Sequence, residues 1–77
     1  MNRTTMFRKA LREAAACSVG RIAREAGYSR SAFDMYLNRS APSSAALRAL
    51  AGTLRARAAR LIRWAERLEG AADEEAR

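Results

Sequence analysis

Histidine is absent from this sequence of 77 residues, and cysteine and proline occur once each, as Cys17 and Pro42. A single cysteine cannot form a disulfide within the chain, and one thiol among scattered carboxylates is not a zinc-binding pattern. No histidine can activate a serine or Cys17, and the sequence has neither paired carboxylates in a plausible cleft nor a phosphate-binding loop. We therefore expect no enzyme activity, metal site, cofactor or small-molecule ligand, and we expect Cys17 to be a buried structural residue.

Long hydrophobic runs are absent as well. The apolar stretches are too short to cross a membrane, and the N-terminus lacks the continuous apolar segment of a secretory signal. We therefore expect a cytoplasmic protein with no membrane partner. A single domain of this size has a thin core, which disulfides or metals often stabilise. Since neither is expected here, self-association remains as a source of stability.

Negative charge is scarce over most of the chain. The sequence has fifteen basic residues, fourteen of them arginine, and eight acidic residues. Five of the acidic residues lie in the last twelve positions, so residues 1–65 carry thirteen basic and three acidic groups, a net charge of +10. Such a surface attracts a polyanion, because neutralising phosphates releases condensed counterions. The alternative is that arginine reflects codon bias and only keeps the chain soluble.

Apolar residues at helical spacing predict an all-α fold, a small bundle of four to five helices. The first helix is expected to follow a cap at Thr4 or Thr5 and to run to about Ala16, with Phe7 and Leu11 on its buried face. Arg8, Lys9, Arg12 and Glu13 are assigned to the opposite face.

The segment 19–38 has the pattern of a helix, a tight turn and a second helix. Its apolar positions are Ile22, Ala26, Tyr28, Phe33 and Tyr36. Small Ala23 suits the close approach of two steeply crossing helices, and Gly27 suits a corner that requires positive φ. Ser18 and Ser29 are expected to cap the two helices, over 19–26 and 30–38.

The outer face of the third predicted helix carries candidate DNA contacts. Arg30 can bind guanine through two hydrogen bonds, and Met35 suits the methyl group of thymine. Ser31 also suits a base edge, whereas Asp34 can orient Arg30 or accept a hydrogen bond from cytosine. A polar outer face is also the ordinary solvent side of a small helix. Gly20 also has two interpretations. It can allow a phosphate to approach the start of the second helix closely, or it can be a tolerated glycine with no functional role.

A long apolar stripe follows the linker RSAPSS, with Ser43 as the expected cap. It comprises Leu47, Leu50, Ala51, Leu54, Ala58, Leu61, Ile62, Ala65 and Leu68. Gly52 and Thr53 weaken its middle, so one long helix and two helices joined by a bend are both allowed.

The C-terminal part of this helix is longer than the small domain can cover. Its unpartnered apolar residues predict a dimer interface of Leu61, Ile62, Trp64, Ala65 and Leu68. The alternative is a helix that folds back at Gly52 and completes a monomer. The expected organisation is a helix-turn-helix DNA-binding domain over 1–55, a dimerisation helix over 56–69 and a disordered tail over 70–77.

The region 19–54 resembles the DNA-binding domain of the phage lambda repressor and Cro family, also called the Xre-like helix-turn-helix family. The matching residues are Ile22-Ala23, Ala26-Gly27-Tyr28, Phe33, Tyr36-Leu37-Asn38, the SAPSS linker, and Leu47, Leu50-Ala51 and Leu54. Tyr28 departs from the Val, Ile or Leu usual in the family, and Arg39 departs from the usual Gly.

The resemblance implies a five-helix bundle whose third helix lies in the major groove, and dimers that read palindromic operators. It implies base contacts by Arg30, Ser31 and Met35. It also implies that phosphates are contacted near the start of the second helix and at the two ends of the third, and we assign this role to Val19, Gly20, Arg21, Ser29, Asn38 and Arg39. The sequence departs again after Leu54, where the family's fifth helix is replaced by the long arginine-rich continuation or merged into it.

The function we expect is sequence-specific transcription regulation, by a homodimeric repressor of a phage or mobile-element promoter that binds double-stranded DNA at a palindromic operator. Negative autoregulation is a natural circuit for such a protein. One alternative is an antitoxin or anti-activator type of protein-interaction module with secondary DNA binding. Another is an RNA-binding or nonspecific nucleoid protein, which the arginine content favours and the lack of exposed stacking aromatics disfavours.

Overall fold

The computed structural model describes residues 2–14 and 18–76, and this part of the chain is all-α. It forms four helices, α1 (Arg3–Ala14), α2 (Val19–Glu25), α3 (Arg30–Asn38) and α4 (Ser44–Ala76). The first three helices and the start of α4 pack around one core, and we call this part, residues 2–14 and 18–57, the head. Residues 58–76 project from the head, and we call them the stem. The molecule measures 55 × 24 × 18 Å as a result.

Three serines begin helices as the sequence predicts. Each accepts a hydrogen bond of 3.1 Å from the backbone N–H three residues later: Ser18 for α2, Ser29 for α3 and Ser43 for α4. An N-cap of this kind satisfies one of the backbone donors that the first turn leaves free. The starts of these helices are therefore encoded locally.

The predicted start of α1 is wrong. Asn2, rather than Thr4 or Thr5, is the cap, because Oδ1 of Asn2 accepts a hydrogen bond of 2.8 Å from the N–H of Thr5. Asparagine is at least as good an N-cap as threonine, so the helix begins earlier. The predictions that this helix runs to Ala16 and that Cys17 is buried fall on residues 15–17, outside the described part of the chain.

The corner between α2 and α3 is a Schellman motif. Gly27 has φ +84°, as predicted. Its N–H donates to the carbonyl of Arg24 at 3.0 Å, and the N–H of Tyr28 donates to the carbonyl of Ala23 at 2.8 Å. These two bonds satisfy carbonyl groups that the helix end would otherwise leave unpaired.

The core of the head is small and aromatic. Its buried residues are Phe7, Leu11, Ile22, Ala23, Phe33, Ala46 and Leu50. The ring of Phe33 packs edge-on against Phe7 and lies tilted against Tyr28, with 5.4 Å between ring centroids in both pairs. Tyr28 is half-buried and contributes its ring to the core.

The fourth helix runs without interruption from Ser44 to Ala76. Of the two arrangements that the sequence allows at Gly52, one continuous helix is therefore the one adopted, and the predicted domain boundary between residues 55 and 56 falls inside it. The prediction of disorder over 70–77 is wrong for residues 70–76. Alanine and glutamate are strong helix formers, and no proline interrupts this segment. None of the helices in the described residues is both long and apolar enough to cross a membrane.

Glu25 joins the end of α2 to α4. Its Oε2 accepts a hydrogen bond of 2.7 Å from Nε of Arg57, and its Oε1 lies 3.4 Å from Nη2 of Arg60. The hydrogen bond from Arg57, supported by the charges of Arg57, Arg60 and Arg21, holds the pKa of the Glu25 carboxyl below its ordinary value. The ionised carboxylate therefore stabilises the packing of α2 on α4.

Replacing Gly27 by alanine should destabilise the fold by about 1–2 kcal/mol, because a residue with a Cβ is strained at positive φ. Gly52→Ala is the matched control, since a Cβ added at either glycine would meet no atom within 4 Å and only Gly27 has positive φ. Gly52 lies inside a helix, so its replacement should stabilise the fold by about 0.5–1 kcal/mol. Urea unfolding measures both changes, and effects of the same sign would contradict the assignment.

Replacing Glu25 by glutamine should lower the free energy of unfolding at neutral pH and have no effect in acid. The folded pKa is depressed, so the stabilisation is complete above the unfolded pKa of about 4.3 and is lost as the pH falls through the folded value. Urea unfolding of both proteins from about pH 7 to about pH 2 tests this. Glu66→Gln is the control, because Glu66 is exposed and has no ion pair among the described residues. Equal losses in both variants would refute the pairing.

Candidate functional site

The outer face of α3 is set by the burial of the opposite face. Phe33 is fully buried, and Tyr36 and Leu37 are half-buried against the same core. The remaining positions of this helix consequently point outward. They include all four predicted base-contacting residues, of which Arg30, Ser31 and Met35 are exposed and Asp34 is half-exposed. Met35 is 42% exposed.

Arg30 and Asp34 form an ion pair one helical turn apart. Nε of Arg30 lies 3.6 Å from Oδ2 of Asp34, and the two side chains are 73% and 48% exposed. An exposed pair of this kind contributes little to stability. It does place the guanidinium of Arg30 beside the Asp34 carboxylate. Of the two roles considered for Asp34, this geometry matches the orientation of Arg30.

The first turn of α2 lies beside Arg30. A Cβ placed on Gly20 would be 3.4 Å from Cδ of Arg30, so the aliphatic part of that side chain crosses the start of α2. Arg21 and Ser29 are exposed in the same region. Val19 is half-buried and packs against the core, so its outward contribution is limited to its backbone. The N-terminal ends of α2 and α3 thus form one surface.

The C-terminal end of α3 borders a shallow hollow lined by Ser31, Asp34, Met35, Asn38, Arg39 and Ser40. The side-chain amide of Asn38 donates a hydrogen bond of 3.0 Å to the carbonyl of Asp34. Arg39 has φ −132°, so the helix ends there without the positive φ that a glycine would provide. The N–H groups of Arg39 and Ser40 both donate to the carbonyl of Met35, at 2.8 and 3.0 Å.

Arg8 of α1 supports the same end of α3. Its Nε donates a hydrogen bond of 2.8 Å to the carbonyl of Tyr36, one of the last carbonyls of the helix. A cation at this position also interacts favourably with the helix dipole. The helical pattern of α1 places Arg8 on the solvent face and does not reveal this contact, since no pattern along the chain relates Arg8 to a backbone atom 28 residues away.

The stem presents a second surface, which is apolar. Its large apolar side chains are more than half exposed: Leu61 68%, Ile62 60%, Trp64 58% and Leu68 68%. Ala65 is exposed between them. The guanidinium carbon of Arg67 lies 5.0 Å from the centroid of the Trp64 ring, a cation–π distance. The five residues predicted as a dimer interface therefore lie together on the uncovered part of α4.

An apolar groove on the head continues this surface. It lies between α1 and α4 and is lined by Met6, Phe7, Ala10, Leu47, Leu50, Ala51 and Leu54. Met6 at its edge is 53% exposed. The sequence pattern did not point to Met6, although its position one residue before buried Phe7 places it at the margin of the buried face.

Comparisons of this chain with protein-family models, curated proteins and solved structures found no match.

Proposed function

We propose that this protein is a sequence-specific DNA-binding regulator of the lambda repressor and Cro type. In this proposal α2 and α3 form the helix-turn-helix, and α3 enters the major groove of DNA. Two copies bind a palindromic operator and repress a phage or mobile-element promoter by excluding RNA polymerase. The protein then acts at the bacterial nucleoid, and its own concentration regulates it.

The observation that carries this proposal is the outer face of α3. Its first turn presents Arg30 and Ser31, and Met35 follows one turn later. A guanidinium, a hydroxyl and an apolar thioether suit three different features of base edges in the major groove. The Asp34 carboxylate lies 3.6 Å from Nε of Arg30, so the guanidinium lies on this same face.

Phosphate contacts are supported by the groups on either side of that face. The start of α2 offers the backbone N–H groups of Val19 and Gly20 together with the Arg21 side chain. At the other end of α3, Asn38 and Arg39 are exposed beside the hollow. Donors and cations that flank a base-reading face position a protein on the DNA backbone without conferring sequence preference.

A second candidate is a protein-interaction module of the antitoxin or anti-activator type. The observation that favours it is the stem, whose exposed leucines can also bind a different chain. Sedimentation of the purified protein at micromolar concentration separates the two candidates. A dimer favours the regulator, whereas a monomer that binds no defined DNA sequence favours the interaction module.

Selection of binding sites from a pool of random DNA duplexes tests the proposed function directly. Moderate salt suppresses nonspecific phosphate binding, so enrichment reports base recognition. We expect the selected DNA to contain an inverted repeat whose half-sites are centred about one helical turn apart. Recovery of no common sequence would contradict the proposal.

Replacing Arg30 and Arg39 in turn should separate base reading from phosphate binding. Arg30→Ala should cost about 1–3 kcal/mol on the selected operator and relax the preference at one base pair. Arg39→Ala should weaken binding to all sequences alike and reduce the slope of log K against log salt by about 1. Fluorescence anisotropy on specific and random duplexes over a range of salt measures both. If Arg30→Ala weakened both duplexes equally, its assignment to a base would be wrong.

A further inference from the structure

The charges of α4 are separated along its length. Residues 44–63 carry five arginines and no acidic residue, whereas residues 66–75 carry five acidic residues and one arginine. Acidic groups near the C-terminus of a helix face the negative end of its dipole, so this order does not stabilise an isolated helix. In a parallel pair of such helices, acidic ends would also repel each other. In an antiparallel pair, each acidic end would lie beside arginines.

Side-chain volume along α4 follows a second pattern. Leucine and alanine alternate at steps of four and three residues, in the order Leu47, Ala51, Leu54, Ala58, Leu61, Ala65, Leu68 and Ala72. The four alanines are exposed, as are the last two leucines, so the head leaves most of this row uncovered. A seven-residue repeat with two apolar positions is the spacing by which paired helices wind around each other.

The order of large and small residues distinguishes the two directions of pairing. In a parallel pair each position of the row faces its own copy, so layers of two leucines would alternate with layers of two alanines that leave gaps. In an antiparallel pair the leucine position faces the alanine position. All layers then have the same volume, which allows even packing along the whole interface.

We propose that two copies of this chain pair through α4 in antiparallel orientation, with Leu61 opposite the partner's Ala65 at the centre. In the same register Leu54 lies opposite the partner's Ala72, and Leu68 lies opposite the partner's Ala58. This inference rests on the homodimer of the proposed function and adds the direction and register of its helices.

The residues that flank the row support this register. Ile62 lies beside the partner's Ile62 on one side of the central layers, and Trp64 lies beside the partner's Trp64 on the other. Arg55 lies beside the partner's Glu69, so the dimer contains two such ion pairs. A shift by one seven-residue repeat in either direction would place Ile62 beside a charged residue, Glu69 or Arg55.

Charge reversal at the flanking pair tests direction and register together. Arg55→Glu and Glu69→Arg each convert both ion pairs of the antiparallel dimer into repulsive contacts, so each variant alone should raise the dimer Kd about tenfold. An equimolar mixture of the two variants restores both pairs, and its Kd should return to the wild-type value. Sedimentation equilibrium of the full chain measures all three.

Arg63→Glu and Glu66→Arg are the matched controls, because they change the same charges at exposed positions away from the row. Their dimer Kd should stay within about twofold of the wild-type value, alone and mixed. If the mixture of Arg55→Glu and Glu69→Arg remained as weak as its components, the antiparallel register would be wrong. A wild-type chain that remained monomeric at these concentrations would also overturn it.

A distance measurement provides a second test that does not depend on charge. Asp73→Cys with Cys17→Ser places one spin label near the end of each stem, ten residues from the centre of the pairing. The labels should lie roughly 30 Å apart along the helices in the antiparallel dimer. In a parallel dimer they would be separated by little more than the distance between helix axes, about 10 Å. The shorter distance would overturn the inference.

The outcomes separate this inference from the proposed function. A parallel dimer that selects a palindromic DNA site would overturn the helix direction and leave the regulator intact. An antiparallel dimer that selects no DNA sequence would support the helix direction and contradict the regulator. Neither dimer measurement includes DNA, so the direction of the paired helices is tested separately from base recognition.

Discussion

Burial of the Phe33 ring determines which face of α3 points outward. The ring contacts Phe7 of α1 and Tyr28 of the turn, and aromatic pairs at these distances contribute about 0.5–1.5 kcal/mol each beyond the area they bury. Because a helix is rigid, fixing one face fixes the direction of the other. The outward position of Arg30, Ser31 and Met35 is therefore a consequence of aromatic packing on the opposite side, and it does not depend on contacts that those residues make themselves.

Polar contacts at the edges of the head complement this core. Glu25 holds α2 to α4 through two arginines, and Arg8 closes the C-terminal end of α3. The core has seven buried apolar residues in the described part of the chain, and a domain this small buries little surface, so contacts of this kind contribute a larger share of the rigidity than in a larger domain. Part of the arginine content is thus structural, since Arg8 and Arg57 are engaged with the protein itself.

Local features of this fold are predictable from the sequence, and distant pairings are not. Serine caps and the glycine corner depend on residues within a few positions of each other, so Ser18, Ser29 and Gly27 identify the ends of α2 and α3. The outer face of α3 follows from periodicity once Phe33 is assigned to the core. The partners of Glu25 and Arg8 lie about thirty residues away and leave no periodic signal. Residues 70–76 differ from the expected acidic disordered tail, because alanine and glutamate favour a helix that continues α4.

Because α4 runs unbroken from the core of the head to the end of the stem, the rotation of the stem about the helix axis is fixed relative to the head. A helix turns by roughly 100° and rises 1.5 Å with each residue, and α4 has no loop in which a change of length can be absorbed. Inserting one residue near position 58 would swing the apolar face of the stem about a quarter of a turn around the axis relative to α3. Inserting seven would nearly restore its direction and move it outward by about 10 Å. Insertions or deletions in this segment therefore keep the apolar face of the stem and the outer face of α3 in the same relative orientation only when they add or remove about seven residues.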